Sequence, residues 1–418
     1  MLIEEIKKIC FVGAGTMGCV NALVAAVAGY DCVVYDTSEN ALASAPQRLV
    51  ESAPFYAAAG LIDPAVIDEA LGNIRFVSDA AEAARDADLL SESIPENRDL
   101  KRKVHGQFDE LCPARTLMTT NTSVLLVSDL ESAVTRQEHF AALHFNPGSK
   151  LVDVAGGHVT TSETLDILCR FAESLALIPI KMAREKRGYI SNSLFGALHE
   201  SAMLLHKQQG QTIDAVDSAW MIGQGVMAGP FGMLDFVGLD VAYDGSRMNG
   251  EFVDDKKDMV RIYLDVLQPY VDRGDLGIKS GRGFYPYPEA AYFQPGFLDN
   301  RDRAGEFHEI MLGNVIAEAV LLVLDGYAPF EQVDRAWMIA QNQGSGPFGI
   351  LDSMGIDTYA DILEKGIVMT QYLKQNRGRI LEFLKTPVRQ GNLGVKTGRG
   401  FYAYPDPAYT RDGFLRMP

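Results

Sequence analysis

The segment Ile9–Asp36, ICFVGAGTMGCVNALVAAVAGYDCVVYD, constrains this chain more than any other. It opens on an apolar run, Ile9 to Val12, of the right length for a buried strand. Gly13, Gly15 and Gly18 follow in G-x-G-x-x-G order, and Met17 to Ala28 reads as a helix rich in Ala, Val and Leu. A second apolar run, Cys32 to Tyr35, ends on Asp36. Strand, glycine turn, helix, strand and terminal acid together describe a dinucleotide-binding βαβ unit. Gly13 allows the tight turn, Gly15 lets the backbone approach a pyrophosphate, and Gly18 lets the helix pack close on the strand. The helix start at Thr16 and Met17 offers free N–H groups and a positive dipole end to phosphates. Asp36 can accept hydrogen bonds from the ribose hydroxyls, and its charge repels a 2′-phosphate. Thr37, Ser38 and Glu39 supply no compensating cation, so the expected cofactor is NAD rather than NADP.

A chain of 418 residues has room for two or three domains. Its net charge of −17 argues against nucleic acid or an anionic membrane surface as partner, without excluding an anionic small molecule met by a local patch. The five cysteines, Cys10, Cys19, Cys32, Cys112 and Cys169, show no metal-binding spacing; no metal is expected, and a reducing, cytoplasmic location fits. The N-terminal MLIEEIKK lacks the apolar core of a signal peptide. No apolar run is expected to reach the length of a membrane helix.

Residues 38–70 read as helical, with Pro46, Pro54 and Pro64 as interruptions and Arg48 as the sole basic residue. Strand-like runs recur at 74–77, 88–94, 116–120, 140–145, 150–154 and 178–182, mostly separated by helical stretches. Such alternation predicts an α/β Rossmann-type doubly wound sheet over residues 1–186. Beyond it, long helices dominate and the chain repeats itself. DSAWMIGQGVMAGPFGMLDFVGLD (217–240) parallels DRAWMIAQNQGSGPFGILDSMGID (334–357), and LGIKSGRGFYPYP (276–288) parallels LGVKTGRGFYAYP (393–405). Trp220 and Trp337, Asp235 and Asp352, and Lys279 and Lys396 are each 117 residues apart. Two repeated all-α domains, 187–290 and 303–418, are expected, with a polar linker over 289–303.

Four polar residues in apolar surroundings stand out: Ser123, His144 at the end of FAALHF, Asp153 at the end of KLVD, and Asn192 at the entry to the helical region. Strand ends in a doubly wound sheet are where ligands bind. Alcohol oxidation by NAD needs a base for the hydroxyl proton, and a neutral imidazole suits that task near pH 7. A carboxylate on its other nitrogen fixes the tautomer, while hydroxyl and amide groups hold the substrate oxygen. The alternatives are plain. Ser123 can cap a helix beginning at Val124, and Asp153 can be a sheet-end acid without a partner. Glu96 and Lys101 can be an exposed pair on a helix surface.

The segments VGAGTMG, YD at 35–36, SIPENRDLKRK, TTNTS, LHFNP, KLVDV, GPFG-LD-VGLD and KSGRGFY resemble the L-3-hydroxyacyl-CoA dehydrogenase family. The resemblance runs to about residue 290, and the helical unit matches a second time beyond it. It implies His144 as catalytic base, Asp153 as its acid partner, and Ser123 and Asn192 at the substrate oxygens. It also implies Glu96, Lys101, Ser123, Asn146 and Lys279 near NAD, with Lys396 as a rival to Lys279. The second helical copy implies a pseudo-dimer within one chain, hence a monomer, with a homodimer as the alternative. The chain departs from the family pattern in carrying Asp153 for Glu, a single Phe after the histidine, a shorter loop from His144 to Asp153, and Arg187-Gly188-Tyr189 for Pro-Gly-Phe. Basic residues that the family uses against CoA phosphates are missing from the 40–70 excursion. The leading expectation is an NAD-dependent 3-hydroxyacyl-CoA dehydrogenase acting on an acyl-CoA. The alternatives are a dehydrogenase of a non-CoA hydroxy acid or other small hydroxylated substrate, and a non-catalytic NAD-binding protein.

Overall fold

The computed structural model describes residues 3–252, 257–299, 304–366 and 369–416. The chain divides into two compact units, Met1–Tyr189 with Gly326–Ala328 and Asp412–Pro418, and Ile190–Asp325 with Pro329–Arg411.

The first unit is built on an eight-stranded sheet: β1 (Lys8–Val12), β2 (Asp31–Tyr35), β3 (Ile74–Val77), β4 (Leu89–Glu92), β5 (Leu117–Thr120), β6 (Phe140–Phe145), β7 (Leu151–Gly156) and β8 (Ile178–Lys181). The spatial order is β3-β2-β1-β4-β5-β6-β7-β8. β1 pairs in parallel with both β2 and β4, so the chain reverses direction across the sheet at β1. That reversal opens the crevice in which ligands bind at strand C-termini. All pairs are parallel except β6 with β7. Strands β1, β2, β4, β5 and β6 are buried almost throughout, as a sheet covered on both faces requires.

The helices of this unit are α1 (Thr16–Val27), α2 (Glu39–Ala58), α3 (Ile67–Gly72), α4 (Ala80–Ala84), α5 (Arg98–Leu111), α6 (Val127–Leu130) and α7 (Ser162–Ser174). Helix α1 buries nine consecutive residues from Gly18 to Ala26, which explains its run of small apolar side chains. The expectation that Pro46 and Pro54 interrupt the next stretch is corrected: both lie inside α2, capped by the Ser38 side chain. Ala45, Leu49, Ala53 and Tyr56 are its buried stripe, and burying it offsets the two backbone bonds lost at proline. Pro64 does start a separate 3₁₀ turn behind the Asp63 cap.

The second unit contains α8 (Ser191–Lys207), α9 (Ile213–Gln224), α10 (Pro230–Val237), α11 (Leu239–Phe252), α12 (Lys257–Arg273), α13 (Ala304–Leu324), α14 (Phe330–Gln341), α15 (Pro347–Met354), α16 (Ile356–Lys365) and α17 (Gln371–Arg389). The repeat is reproduced bond for bond. Asp217 accepts from the Phe231 and Gly232 N–H groups and the Tyr285 hydroxyl, and Asp334 does the same with Phe348, Gly349 and Tyr402. Asp235 and Asp352 hold the G-R-G-F-Y turns through Phe284 and Tyr285, and Phe401 and Tyr402. Trp220 meets its own counterpart Trp337 edge to face, with ring centroids 6.2 Å apart, so the two copies touch through the same residue.

Two expectations change here. Helix α13 has 21 residues and is long and apolar enough to cross a membrane by length and composition, contrary to the reading that no run approaches that length. It is a core helix instead, packed against α8 and α9 with most of its apolar window buried. The stretch 289–299 is not a free polar linker. Ala290 and Tyr292 are buried, and Tyr292 bonds the Tyr287 hydroxyl at 3.0 Å. Tyr292 also meets Tyr285 edge to face with ring centroids 5.0 Å apart, and Tyr409, 117 residues on, meets Tyr402 the same way at 4.9 Å. Residues 300–303 of that stretch lie outside the described residues.

Candidate active site

Two of the three glycines of the turn after β1 have a steric reason. A Cβ on Gly13, at φ +113°, would sit 2.7 Å from the Ser93 carbonyl oxygen, and one on Gly18 would sit 1.9 Å from the Gly13 carbonyl oxygen. A Cβ on Gly15 would meet nothing within 4 Å, so this is the open side of the turn. Gly15 is the N-cap of α1 and no side chain caps the helix, leaving its first N–H groups, those of exposed Thr16 and half-buried Met17 among them, for an anion. Asp36 follows β2 and accepts from the Ala14 N–H and the Ser38 N–H, both at 2.8 Å. A carboxylate has lone pairs to spare for ribose hydroxyls beyond these two bonds. Arg48, the lone cation of α2, turns inward onto the Ala14 carbonyl oxygen and the Ser44 hydroxyl. The open glycine, the uncapped helix and the acid fit NAD.

The strand ends further along hold the polar groups. In the antiparallel β6–β7 pair His144 lies directly opposite Asp153. Its Nδ1 is 3.0 Å from Asp153 Oδ2, and its Nε2 is 2.9 Å from Ser123 Oγ. A carboxylate only accepts, so Nδ1 carries the proton and Nε2 presents a lone pair. His144 and Asp153 are buried, while Ser123 is exposed and gives this relay its opening to solvent. Asn146 Nδ2 donates to the same Asp153 oxygen at 3.0 Å, leaving Oδ1 of that buried acid without a hydrogen-bond partner among the described residues. Asn121 ties the two halves of the site together, donating to Ser93 Oγ beside the glycine turn and accepting from the Phe145 N–H next to His144.

The expected helix start at Val124 is corrected: residues 123–125 form a bend and α6 begins at Val127 behind Leu126 with no side-chain cap, while Thr122 Oγ1, not Ser123, accepts from the Leu125 N–H at 2.9 Å within that turn. Thr122 in turn donates to Glu96. Glu96 thus gathers the loop that carries Ser123, with the Val124 N–H also at 3.3 Å. Lys101 is not an exposed helix-surface residue. Its side chain is 1% exposed, and its Nζ lies 2.6 Å from Glu92 Oε1, 3.1 Å from the Ile94 carbonyl oxygen and 3.4 Å from Glu96 Oε2. Glu92, at the end of β4, also accepts from Thr120 at 2.8 Å and meets His105 Nε2 at 3.2 Å. Burial would raise the Glu92 carboxyl, but the Lys101 charge and the hydrogen bonds from His105 and Lys101 outweigh it and hold the group at about 2. Glu92, Thr120 and His105 were not singled out from the sequence, because nothing local marks an acid inside a strand as the centre of a charge cluster.

Asn192 and Lys279 belong to the helical unit. Asn192 is exposed, the second residue of α8. Lys279 pairs with Asp240 at 2.6 Å, and Lys396 pairs with Asp357 at 2.7 Å, so the geometry makes the two lysines equivalents.

Residues 8–186 match the family described as 3-hydroxyacyl-CoA dehydrogenase, NAD binding domain. Residues 188–287 and 307–404 each match its C-terminal domain. The mitochondrial hydroxyacyl-coenzyme A dehydrogenase of Rattus norvegicus is 31% identical over 290 residues, covering 68% of this chain and 91% of its own length. Among solved structures, a diketoreductase described for dual catalysis of dicarbonyl compounds is 36% identical, covers 68% of this chain and 99% of its own, and has a TM-score of 0.60. The 3-hydroxybutyryl-CoA dehydrogenase of Escherichia coli K12, at 22% identity, shares the fold over 91% of this chain with a TM-score of 0.74. The chain therefore belongs to the 3-hydroxyacyl-CoA dehydrogenase family of NAD-dependent oxidoreductases, with the C-terminal domain present twice.

Proposed function

We propose that this enzyme interconverts a 3-hydroxyacyl-CoA and the corresponding 3-ketoacyl-CoA, with His144 as general base and acid. The observation that carries the reading is the hydrogen-bonded relay from Ser123 Oγ through the His144 ring to Asp153, at 2.9 and 3.0 Å. In the oxidising direction Nε2 takes the proton of the substrate hydroxyl. Asp153, fixed on Nδ1, holds the tautomer that leaves Nε2 free and stabilises the imidazolium that forms. Ser123 shares its hydroxyl between Nε2 and the substrate oxygen, and Asn192 is the second residue we assign to that oxygen. Gly13, Gly15, Gly18, the first turn of α1 and Asp36 would hold NAD, which supplies the hydride acceptor. Glu96 keeps the Ser123 loop in place, Lys101 acts beneath it, and Asn146 steadies Asp153. Acetoacetyl-CoA reduction followed by NADH absorbance tests the proposal. The expected result is turnover that falls by ~10²–10⁴ in His144→Ala; no turnover with short, medium and long acyl chains overturns it.

A second reading keeps the chemistry and removes CoA. It is favoured by the inward-turned Arg48 and by the apolar run Ala53–Ala58, which leave α2 without an outward cation. The 36% identity to a diketoreductase points the same way. Turnover of a free dicarbonyl compound, with no thermal stabilisation by any CoA compound, would favour it.

A further inference from the structure

The segment Arg187-Gly188-Tyr189, one of the departures from the family pattern, lies against the site with a specific geometry. The Tyr189 ring stacks on the His144 imidazole with centroids 4.7 Å apart and planes 17° from parallel. Its hydroxyl donates to the Thr122 carbonyl oxygen at 2.9 Å, the residue before Ser123. Burial, then the negative charges of Asp153, Glu96, Glu185 and Glu92, push the phenol well above its usual range, so the hydroxyl stays a donor at any working pH. The backbone is held out of the ordinary regions to place this ring: Gly188 has φ +76° and Tyr189 itself φ +49°. A bulky side chain in the left-handed region persists only where its surroundings fix it. Here they do. Arg187 bonds the Val124 carbonyl oxygen at 3.1 Å and pairs with Asp129 at 2.8 Å, and Glu185 accepts from the Ser128 N–H at 3.0 Å.

We propose that Tyr189 is a positioning residue for the reaction. Its ring fixes the plane of the His144 imidazole so that Nε2 faces the substrate hydroxyl, and its electron-rich face stabilises the imidazolium formed when the base takes that proton. Its hydroxyl ties the same ring to the loop that presents Ser123. The inference rests on the reading of His144 as the base. Around the imidazole the other groups are Asp153 on Nδ1 from β7, Ser123 on Nε2 from the loop after β5, and Asn146 sharing the Asp153 oxygen. A change at position 189 replaces none of these side chains, and the bond to the Thr122 carbonyl oxygen is lost equally in Tyr189→Phe and Tyr189→Leu, so the two variants differ in the aromatic face.

The test is a ¹⁵N NMR titration of the His144 ring in the full chain with saturating NAD⁺, assigned by its loss in His144→Gln. Tyr189→Phe keeps the face and should leave the midpoint in place. Tyr189→Leu keeps apolar bulk but removes the face, and the midpoint should move to lower pH by about half a unit or more. Pentafluorophenylalanine at position 189 keeps the ring's shape and reverses the charge of its face, so it should move the midpoint the same way even where the leucine variant folds poorly. In the pH profile of 3-hydroxybutyryl-CoA oxidation the acid limb should follow. A midpoint unchanged in both the leucine and the fluorinated variant overturns the proposal. The NMR readout needs no substrate, so a wild-type enzyme inactive on CoA thioesters would sink the substrate reading and leave this test standing. A His144→Ala variant of undiminished activity would sink the base assignment instead.

Discussion

Asp153 shows how a shorter acid serves where the resemblance implies a glutamate. Directly opposed residues of an antiparallel pair have Cβ atoms about 5 Å apart, so the Asp carboxylate reaches His144 Nδ1 without an extra methylene. The sequence separation of nine is what the short hairpin imposes on that register. Asp153→Asn keeps the shape but can offer an amide N–H to Nδ1, which moves the ring proton to Nε2 and removes the base. We expect kcat to fall by ~10²–10⁴, with NAD affinity by fluorescence titration unchanged; a loss below tenfold would leave Asp153 a plain sheet-end acid.

Among the elements, β4 and α5 are joined by charges rather than by apolar packing alone. Glu92 leaves the sheet, Lys101 and His105 come one helical turn apart on the buried side of α5, and Thr120 closes the cluster from β5. Removing one partner of a buried ion pair typically costs about 3–5 kcal/mol, because the other charge is left unpaired. Glu92→Gln is expected to destabilise the first unit by that order in urea unfolding. The sign of the pH effect is fixed by a carboxyl held at about 2 in the fold against 4.5 for an unperturbed Glu. Its contribution is complete above about pH 4.5 and is lost as pH falls toward 2. The wild type should therefore lose stability over that window more steeply than Glu92→Gln; parallel curves would show that Glu92 is not the group responsible.

At the scale of the whole chain, the two helical copies build one compact unit rather than two separate ones. Helix α13 of the second copy packs on α8 and α9 of the first, and Trp220 meets Trp337. Asp217 and Asp334 each satisfy two backbone N–H groups and a tyrosine hydroxyl in buried positions. Replacing either by Ala orphans three donors, each worth about 1–3 kcal/mol. We expect Asp217→Ala and Asp334→Ala to lower the unfolding temperature by similar amounts, through one calorimetric transition of the helical unit. Two resolved transitions, only one of them moved by each variant, would show that the copies unfold independently.

By itself the sequence determined what is local. The glycine turn, the acid at the end of β2, the strand runs, the two-fold recurrence at 117 residues and the His144–Asp153 pair were all legible, because each is written in neighbouring residues or in a repeating pattern. Tertiary structure decided what depends on partners far along the chain. It replaced the helix expected after Ser123 by a turn held by Thr122 and sank Lys101 onto Glu92. It made α13 a core helix and laid Tyr189 on the imidazole. A charge or an aromatic ring has no local signature of burial. Whether it is solvated, paired or stacked is set by the low-dielectric surroundings that only the folded chain assembles.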